Sequence, residues 1–315
     1  MRVVKLLAAA WVAALAIAAC ASGGMAGTSS AHGTTRDGSK ASAVRIVRPP
    51  PSAPYARLLA SAQGSGATPF VPAATWHGQT VAWIARSATG MALLSFNQQL
   101  VELTLHSGTE DAGSTGWRYG PEVAGAEKRH LLSAFNGGFK FDVGAGGFMS
   151  AGRVGAPLQD GFGSIVTYTD GYTDIGSWHH EVPAATVASV RQNLNLLIDH
   201  GRPATDAGCN SCWGATLGGV SDPARSALGI TGDGHLIWAG GEHATVSQLA
   251  DALLGARVVR AVELDINPEW VASYLYGHRG GHGPPAAVPI VPNQPGVPGQ
   301  FLAPYSRDFF SVVTR

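Results

Sequence analysis

The chain has 315 residues, with 21 lysines and arginines, 21 aspartates and glutamates, and 42 glycines. Without residues 1–19, which include Arg2 and Lys5, 19 basic residues face 21 acidic ones, a formal net charge of −2. Nucleic-acid binding proteins concentrate basic residues, so this balance argues against nucleic acid as a partner. The charged fraction of 13% and the many glycines are typical of a compact, loop-rich secreted domain.

The first 19 residues predict export. Arg2 and Lys5 precede an apolar run at 6–19, and small residues lead to Cys20, which is the pattern of a secretory signal peptide. A cysteine directly after such a site resembles a bacterial lipobox, so Cys20 is expected to carry lipid. The alternative is an ordinary signal peptide or a short membrane anchor, although a span needs roughly 20 apolar residues. The predicted location is the extracytoplasmic face of the cell membrane.

Residues 20–73 are predicted to form a tether. The segment is rich in Ala, Gly, Ser, Thr and Pro and has no hydrophobic periodicity, which is typical of linkers. About 50 flexible residues have an end-to-end distance of roughly 40 Å, enough to lift a domain towards the cell wall. Residues 74–315 remain for the folded part, enough for one large or two small domains.

The folded part is predicted to contain many strands and few helices. Apolar runs bounded by turn residues predict strands at 81–85, 92–96, 100–105, 131–135, 164–168, 194–198, 227–230, 236–239 and 258–266. A helix is expected at 246–254, because Thr245 and Gln248 make a capping box and Gly255 follows. A second helix is expected at 184–192, and residues 277–299 are expected to form a long loop. The combination predicts an α+β fold with mixed, mostly antiparallel sheets.

Cys209 and Cys212 are the cysteines that remain once Cys20 is assigned to lipid. Outside the cytoplasm, a pair at this spacing is expected to form a small-loop disulfide. A thioredoxin-like redox pair is an alternative, but no βαβ pattern precedes it. A zinc site would need two further ligands, for which residues 179–181 are the nearby candidates.

Residues 260–270 place polar side chains inside an apolar strand. Glu263, Asp265 and Asn267 alternate with apolar residues, and alternate residues of a strand share a face. Charge on a core strand is costly unless it is paired or used. Two interpretations follow: a hydrogen-bonded core network, or carboxylates for acid–base and glycosyl chemistry. The same oxygens suit calcium, but no calcium-loop pattern accompanies them, so no metal is assigned.

Two further motifs offer groups that bind anions. Gly137 and Gly138 follow Asn136 at the end of an apolar strand, and such a turn can present backbone N–H groups to an anion or a sugar hydroxyl. A plain Asn-Gly hairpin turn is the alternative. Arg225 begins a strand, and its planar guanidinium suits phosphate or carboxylate. A surface arginine on a hairpin is the alternative there.

In chain order, these motifs resemble the phosphodiester glycosidase family. The resemblance rests on residues 136–139, 192–194, 225–229, 233–234, 245–255, 264–265 and 306–313, and it covers roughly residues 80–315. It implies a single domain with the family's fold and a hydrolase that cleaves a glycosyl-1-phosphodiester or a related glycosidic linkage. The chain departs from the family after Asp265, where Ile266, Asn267 and Pro268 replace a glycine-rich run. That departure implies a rebuilt substrate rim.

The family resemblance and the strand pattern together assign roles. Asp265 is expected to be the nucleophile or charge stabiliser, Glu263 its partner acid or base, and Arg225 the cation that neutralises the departing phosphate. The expected substrate-binding residues are Asn136, Gly137, Gly138, Asn267 and Trp270. The expected partner is a cell-envelope glycan or sugar-phosphate polymer, and no cofactor is expected.

The second hypothesis is a catalytically silent module that binds envelope glycans, or a structural wall protein. In that case Trp270, Tyr274 and Tyr276 would stack against sugars, and Glu263 and Asp265 would form a core network. An enzyme that uses an acid and a base shows turnover with a bell-shaped pH dependence, whereas a binding module shows saturable binding without product.

Overall fold

The computed structural model describes residues 68–112, 115–182, 184, 186–278 and 285–315, and the backbone of a short strand at Arg45–Ile46. These residues belong to one compact unit, Ala41–Arg315. The predicted signal peptide at 1–19, the lipidation site Cys20 and most of the tether lie outside the described residues. Within the described part of the chain, no helix has the length and apolar character needed to cross a membrane.

The described residues form nineteen strands and two α-helices. The strands are β1 Arg45–Ile46, β2 Val71–Trp76, β3 Gln79–Arg86, β4 Ala92–Asn97, β5 Val101–His106, β6 Leu131–Asn136, β7 Phe148–Ser150, β8 Arg153–Ala156, β9 Gly163–Tyr168, β10 Thr173–Ser177, β11 Val187–Gln192, β12 Ile198–Asp199, β13 Arg202–Pro203, β14 Arg225–Thr231, β15 His235–Gly241, β16 Val258–Ile266, β17 Ser273–Gly277, β18 Ala286–Pro289 and β19 Phe309–Thr314. The helices are α1 Glu127–His130 and α2 Val246–Gly255. Short 3-10 turns lie at Phe141–Val143, Asn210–Trp213, Leu217–Gly219 and Gln300–Leu302.

The strands are arranged in three sheets. The largest has nine strands in the order β1-β2-β3-β4-β15-β14-β16-β12-β13. The two smaller sheets have the orders β10-β9-β11-β7-β8 and β18-β17-β6-β19-β5. Every ladder between described strands is antiparallel. The predicted α+β class, with mostly antiparallel sheets and few helices, is therefore confirmed.

The middle of the nine-stranded sheet is buried on both faces. Leu94 and Trp238 face a large core that is shared with the other two sheets. Leu93 and Ile237, one residue away in each strand, pack on the opposite face beneath α2. Strands that are covered on both sides are rigid supports, so polar groups at their ends are held in fixed positions.

Helix α2 begins where the sequence predicts. Thr245 Oγ1 accepts a hydrogen bond from Gln248 N at 3.2 Å, and Gln248 Oε1 accepts one from Thr245 N at 2.9 Å. This reciprocal capping box satisfies two N–H groups that have no partner inside the helix. Leu249 and Leu253 of this helix pack against the nine-stranded sheet.

Several predicted elements differ from the structure. The predicted helix at 184–192 is wrong, because Val187–Gln192 forms β11 and pairs with β7 and β9. Of the predicted strand at 194–198, the structure assigns Ile198 alone to a strand, β12. The predicted loop at 277–299 contains β18. Strand β2 begins at Val71, before the predicted domain boundary at 74, and β1 pairs with it from within the predicted tether.

Candidate active site

Strand β16 carries a β-bulge near its carboxyl end. Between the cross-strand pairs Arg225–Ile266 and Ala227–Glu263, β16 has one residue more than β14. An extra residue interrupts the two-residue alternation of a strand, so Asp265 leaves the face occupied by Glu263. The prediction that these carboxylates share one face is wrong for this reason.

Polar groups of the neighbouring strands hold the bulge in place. Asn136 Nδ2 donates to Ser226 Oγ at 2.9 Å, and Ser226 Oγ donates to the Asp265 carbonyl oxygen at 2.8 Å. The Asp265 N–H donates to the Gly137 carbonyl oxygen at 2.9 Å. Asn136 was expected to bind substrate, but it is buried and its amide fixes the backbone that aims Asp265.

Gly137 and Gly138 pack against a buried ion pair between Arg191 and Asp308. Arg191 Nε lies 2.7 Å from Asp308 Oδ2, and both side chains are fully buried. Gly137 N donates to the Asp308 carbonyl at 3.0 Å, and Gly138 N donates to Asp308 Oδ2 at 3.4 Å. The two amides are engaged inside the protein, so the structure gives these glycines a packing role in place of the predicted anion contact.

Gly137→Ala is expected to lower the free energy of unfolding by about 2 kcal/mol or more, because overpacking a filled site forces neighbours to move. An added Cβ would lie 2.0 Å from Asp308 Oδ2 and 2.7 Å from its carbonyl oxygen. Gly208→Ala is the matched control, since a Cβ there meets no atom within 4 Å. Urea denaturation of both variants checks the prediction, and equal stabilities would contradict it.

Arg225 and Glu263 form a second buried ion pair. Arg225 Nη1 lies 2.6 Å from Glu263 Oε1, and neither side chain is exposed. The Arg225 guanidinium also donates to the carbonyl oxygens of Trp213 at 3.0 Å, Ala244 at 3.1 Å and Asn210 at 3.3 Å. In this structure the pair belongs to a core network, and neither residue is placed to meet substrate.

The turn that holds Arg225 is closed by the predicted disulfide between Cys209 and Cys212. Two of the carbonyls that bind Arg225 come from this turn, at Asn210 and Trp213. Asn210 Oδ1 also accepts from Val246 N, at 2.9 Å, in the first turn of α2. The turn therefore joins β14 to α2, and its sulfur atoms are bonded to each other instead of to zinc.

Asp265 pairs with a different arginine, Arg307, and both residues are buried. Asp265 Oδ2 accepts from Arg307 Nη2 at 2.9 Å, and Arg307 Nε donates to Asp111 Oδ2. The Arg307 guanidinium carbon lies 4.8 Å from the ring centroid of Trp270, and Lys140 Nζ lies 5.7 Å from it. We call these five residues the Asp265 cluster. The Asp265 side chain is 9% exposed, Trp270 is half-buried and Lys140 is exposed.

Burial shifts the titration of Asp265 towards neutral pH. Burial raises the pKa of the Asp265 carboxyl to about 7, against the opposing effects of Arg307 and the Ile266 N–H. Burial also raises the pKa of Asp111, although Arg307 opposes the shift. In the core, burial raises the pKa of Glu263 to about 8, against Arg225. Asp265 is thus a buried carboxyl, with a side chain that is 9% exposed, that gains or loses a proton close to neutral pH.

These shifts predict that the folded protein becomes less stable as pH rises from about 4 to about 8. Unfolded Asp and Glu lose their protons near pH 4, whereas Asp265 and Glu263 hold theirs to about 7 and about 8 in the folded state. The folded state then binds more protons over this interval, so the free energy of unfolding falls with pH. Glu263→Gln should flatten this slope, and Glu110→Gln, at an exposed site, should not. Chemical denaturation across this range is the measurement; an unchanged slope in Glu263→Gln would refute the assignment.

Other predicted binding residues are divided between the core and the surface. Asn267 has a φ of 78° just after β16, and its side-chain oxygen accepts from Leu217 N at 2.9 Å. Tyr274 and Tyr276 are 1% and 0% exposed, so neither presents a face to a sugar. Of the three aromatic residues proposed for sugar stacking, Trp270 is partly exposed.

The oxygens considered for calcium have separate protein partners. Glu263 and Asp265 each bind a different arginine, and Asn267 binds a backbone amide. Among the residues that the structure describes, one group brings three metal-ligand atoms within 4.8 Å, at Glu181, Asp199 and His200. That group shares no residue with the Asp265 cluster.

Sequence reasoning did not identify Arg307, Asp308, Asp111 or Arg191 as site residues. Arg307 and Asp308 are charged residues directly before an apolar strand. Charged residues next to a buried strand are usually paired or functional, so their position in the sequence was a signal for a site. Asp111 lies in a polar loop and Arg191 lay in the segment expected to be helical, so neither had a local signal. Their positions depend on contacts between distant parts of the chain.

No family model and no curated protein match the chain. Among solved structures it is similar to the catalytic domain of zebrafish N-acetylglucosamine-1-phosphodiester alpha-N-acetylglucosaminidase auto-inhibited by its pro-peptide, at 16% identity over 78% of this chain and 81% of that chain, with a TM-score of 0.45. It is also similar to a protein from Synechocystis, at 13% identity over 74% of this chain and 60% of that chain, with a TM-score of 0.40. A protein from Burkholderia pseudomallei is 12% identical over 76% of this chain and 77% of that chain, with a TM-score of 0.34. Identities of 12% to 16% do not assign an activity.

Proposed function

We propose that the chain is a hydrolase that cleaves a glycosyl-1-phosphodiester, or a related glycosidic linkage, in glycans of the cell envelope. The observation that supports this most directly is the Asp265 carboxyl, which is 9% exposed, pairs with the Arg307 cation beside the Trp270 ring, and has a pKa of about 7. A carboxyl that titrates near the working pH is suited to proton transfer in a transition state.

The proposed reaction breaks the bond between the anomeric carbon and a phosphate oxygen. Water supplies a hydroxyl group to the carbon and a proton to the leaving phosphate. Ionised Asp265 would accept the proton of the attacking water or stabilise the positive charge that develops at the anomeric carbon. Because phosphate leaves as a stabilised anion, no strong general acid is needed. Arg307 and Lys140, in place of Arg225, would supply the positive charge that neutralises the departing phosphate.

Trp270 is the proposed sugar platform. Its half-buried ring is next to the cations of Arg307 and Lys140, and aromatic rings stack on the apolar faces of sugars. A sugar on the exposed part of the ring would lie beside the positive charges, with its anomeric carbon towards Asp265. The residues after Asp265, which replace the glycine-rich run of the resembling family, would then define the rim of this site.

The proposed location follows from the sequence outside the described residues. An apolar leader at 1–19, a lipid on Cys20 and a tether would hold the domain at the extracytoplasmic face of the membrane. Glycans and sugar-phosphate polymers of the envelope would lie within reach of such a tether. A formal charge of −2 for the remainder of the chain gives no reason to expect nucleic acid as a partner.

A catalytically silent glycan-binding module is the second candidate, and the position of Glu263 favours it. Glu263, the expected partner acid or base, is fully buried in the core and paired with Arg225. Asn136, Gly137 and Gly138, expected to hold substrate, are engaged in internal hydrogen bonds. A module of this kind would bind glycans through Trp270 without turning them over.

Product release distinguishes the two candidates. The purified protein would be incubated with UDP-N-acetylglucosamine, as a glycosyl-1-phosphate ester, and with an envelope extract, between pH 5 and pH 9. Mass spectrometry would detect released sugar. Release with a rate that changes around pH 7 supports the hydrolase. Saturable glycan binding without product supports the silent module, and the absence of both refutes both proposals.

A further inference from the structure

A cavity of about 320 Å³ opens on the other side of the segment that carries Trp270. Asn267, Pro268, Glu269 and Val271 line the cavity, whereas Trp270 belongs to the Asp265 cluster. Most of the other walls are apolar, formed by Leu217, Val220, Pro223, Ala224 and Val291. Leu217 and Val220 remain 53% and 46% exposed. We call this site the acidic cavity.

The charge of the lining is negative. Asp222, Glu242 and Glu269 line the cavity, and none of the described residues that line it is a lysine or arginine. Among the described lining residues the basic group is His243, whose Nδ1 lies 3.9 Å from Asp222 Oδ2. A phosphate or carboxylate ligand would therefore meet like charges, while a cation would meet opposite ones.

Glu242 is the acid with a fixed position. Its Oε1 accepts from Asn293 N at 3.0 Å and from Asn293 Nδ2 at 3.1 Å, and its Oε2 accepts from Asn293 Nδ2 at 3.0 Å. These bonds join the end of β15 to the loop after β18. Asn293, in that loop, therefore fixes the position of the Glu242 carboxylate in the cavity lining. Each carboxylate oxygen has more than one acceptor position, which leaves Glu242 capacity for an ammonium donor.

We propose that the acidic cavity binds a small apolar molecule that carries one ammonium group. The apolar body would lie against Val271 and Val291, and the ammonium group would donate to Glu242. A volume of about 320 Å³ accommodates roughly ten water-sized groups and lies at the lower end of ligand pockets. The proposal is independent of glycan hydrolysis, because it concerns a different set of side chains from the Asp265 cluster.

Three probes of equal shape and different charge test the proposal on the full protein. They are cyclohexylmethylammonium, cyclohexylmethanol and cyclohexanecarboxylate, titrated at pH 7 and followed by calorimetry and NMR shifts. We expect saturable binding of the ammonium probe, with a dissociation constant at least about tenfold lower than that of the carboxylate. The alcohol should fall between them. No saturable binding, or equal binding of all three, overturns the proposal.

Two variants locate the binding. Glu242→Gln keeps an acceptor for Asn293 but removes the charge, so the preference for the ammonium probe should shrink towards that for the alcohol. Leu217→Lys changes an exposed side chain and adds a positive charge at the opening, so ammonium binding should be lost. Glu110→Gln, outside the cavity, is the matched control and should bind as the native protein does. Unchanged ammonium binding in the first two variants would place the ligand elsewhere and overturn the proposal.

Discussion

An Asp265→Asn protein is expected to release sugar at a rate about 10² to 10⁴ times lower than the native protein, the range that a positioned acid or base contributes. The asparagine oxygen can still accept from the Ile266 N–H, which donates to Asp265 Oδ1 at 2.9 Å in the native protein. The substitution therefore removes the titrating group and leaves the local backbone contacts in place. Initial rates of product formation, with protein folding followed by circular dichroism, are the measurements.

Asp251→Asn is the matched control for this prediction, because Asp251 is exposed on α2. It should retain the native rate. The change in rate around pH 7 should also disappear in Asp265→Asn, because burial raises the pKa of Asp265 to about 7. Equal rates in the native and Asp265→Asn proteins would remove Asp265 from the mechanism, whatever the substrate.

At pH 9, where Glu263 with its pKa of about 8 is ionised, Arg225→Met is expected to lower the free energy of unfolding by about 3–5 kcal/mol, the usual effect of breaking one side of a buried ion pair. The substitution removes the partner of Glu263 at 2.6 Å. It also leaves carbonyl oxygens of Trp213, Ala244 and Asn210 without their donor, and unsatisfied buried acceptors are costly. Urea denaturation and thermal melting measure the loss.

Arg202→Met serves as the control, because Arg202 is exposed in β13 and its replacement should change stability by about 0.5 kcal/mol or less. Glu263→Gln should be milder than Arg225→Met, since glutamine can still accept from Arg225. If Arg225→Met kept native stability and lost turnover, the original assignment of Arg225 to the leaving phosphate would regain support. Loss of stability with turnover retained per folded molecule would place Arg225 in the scaffold.

The elements that were predicted well are those with a local cause. Strand β16 has the predicted bounds, because its apolar run is long and ends at polar residues. Helix α2 begins at Val246, directly after its N-cap Thr245, because capping depends on residues three apart. Strand β11 was mistaken for a helix, since its identity depends on pairing with β7 and β9. Pairing between distant strands overrides weak local preferences.

The site was predicted in part for the same reason. The sequence pattern correctly placed Glu263 and Asp265 in one strand, but strict alternation put both on one face. The bulge that separates them is held by Asn136 and Ser226, which are far away in the chain. The bulged residues include no glycine, so the local sequence does not indicate the bulge. Arg307, 42 residues after Asp265, reaches the carboxylate through the arrangement of the sheets.

The disulfide turn has a practical consequence for producing the protein. Reducing cytoplasm keeps cysteines as thiols, and the Cys209–Cys212 turn would then lack its cross-link. The same turn supplies two of the carbonyls that bind Arg225 and the amide oxygen that binds the first turn of α2. Recombinant protein should therefore be directed to an oxidising compartment of the host. Otherwise low yield or poor folding in a cytoplasmic preparation would be mistaken for a property of the domain itself.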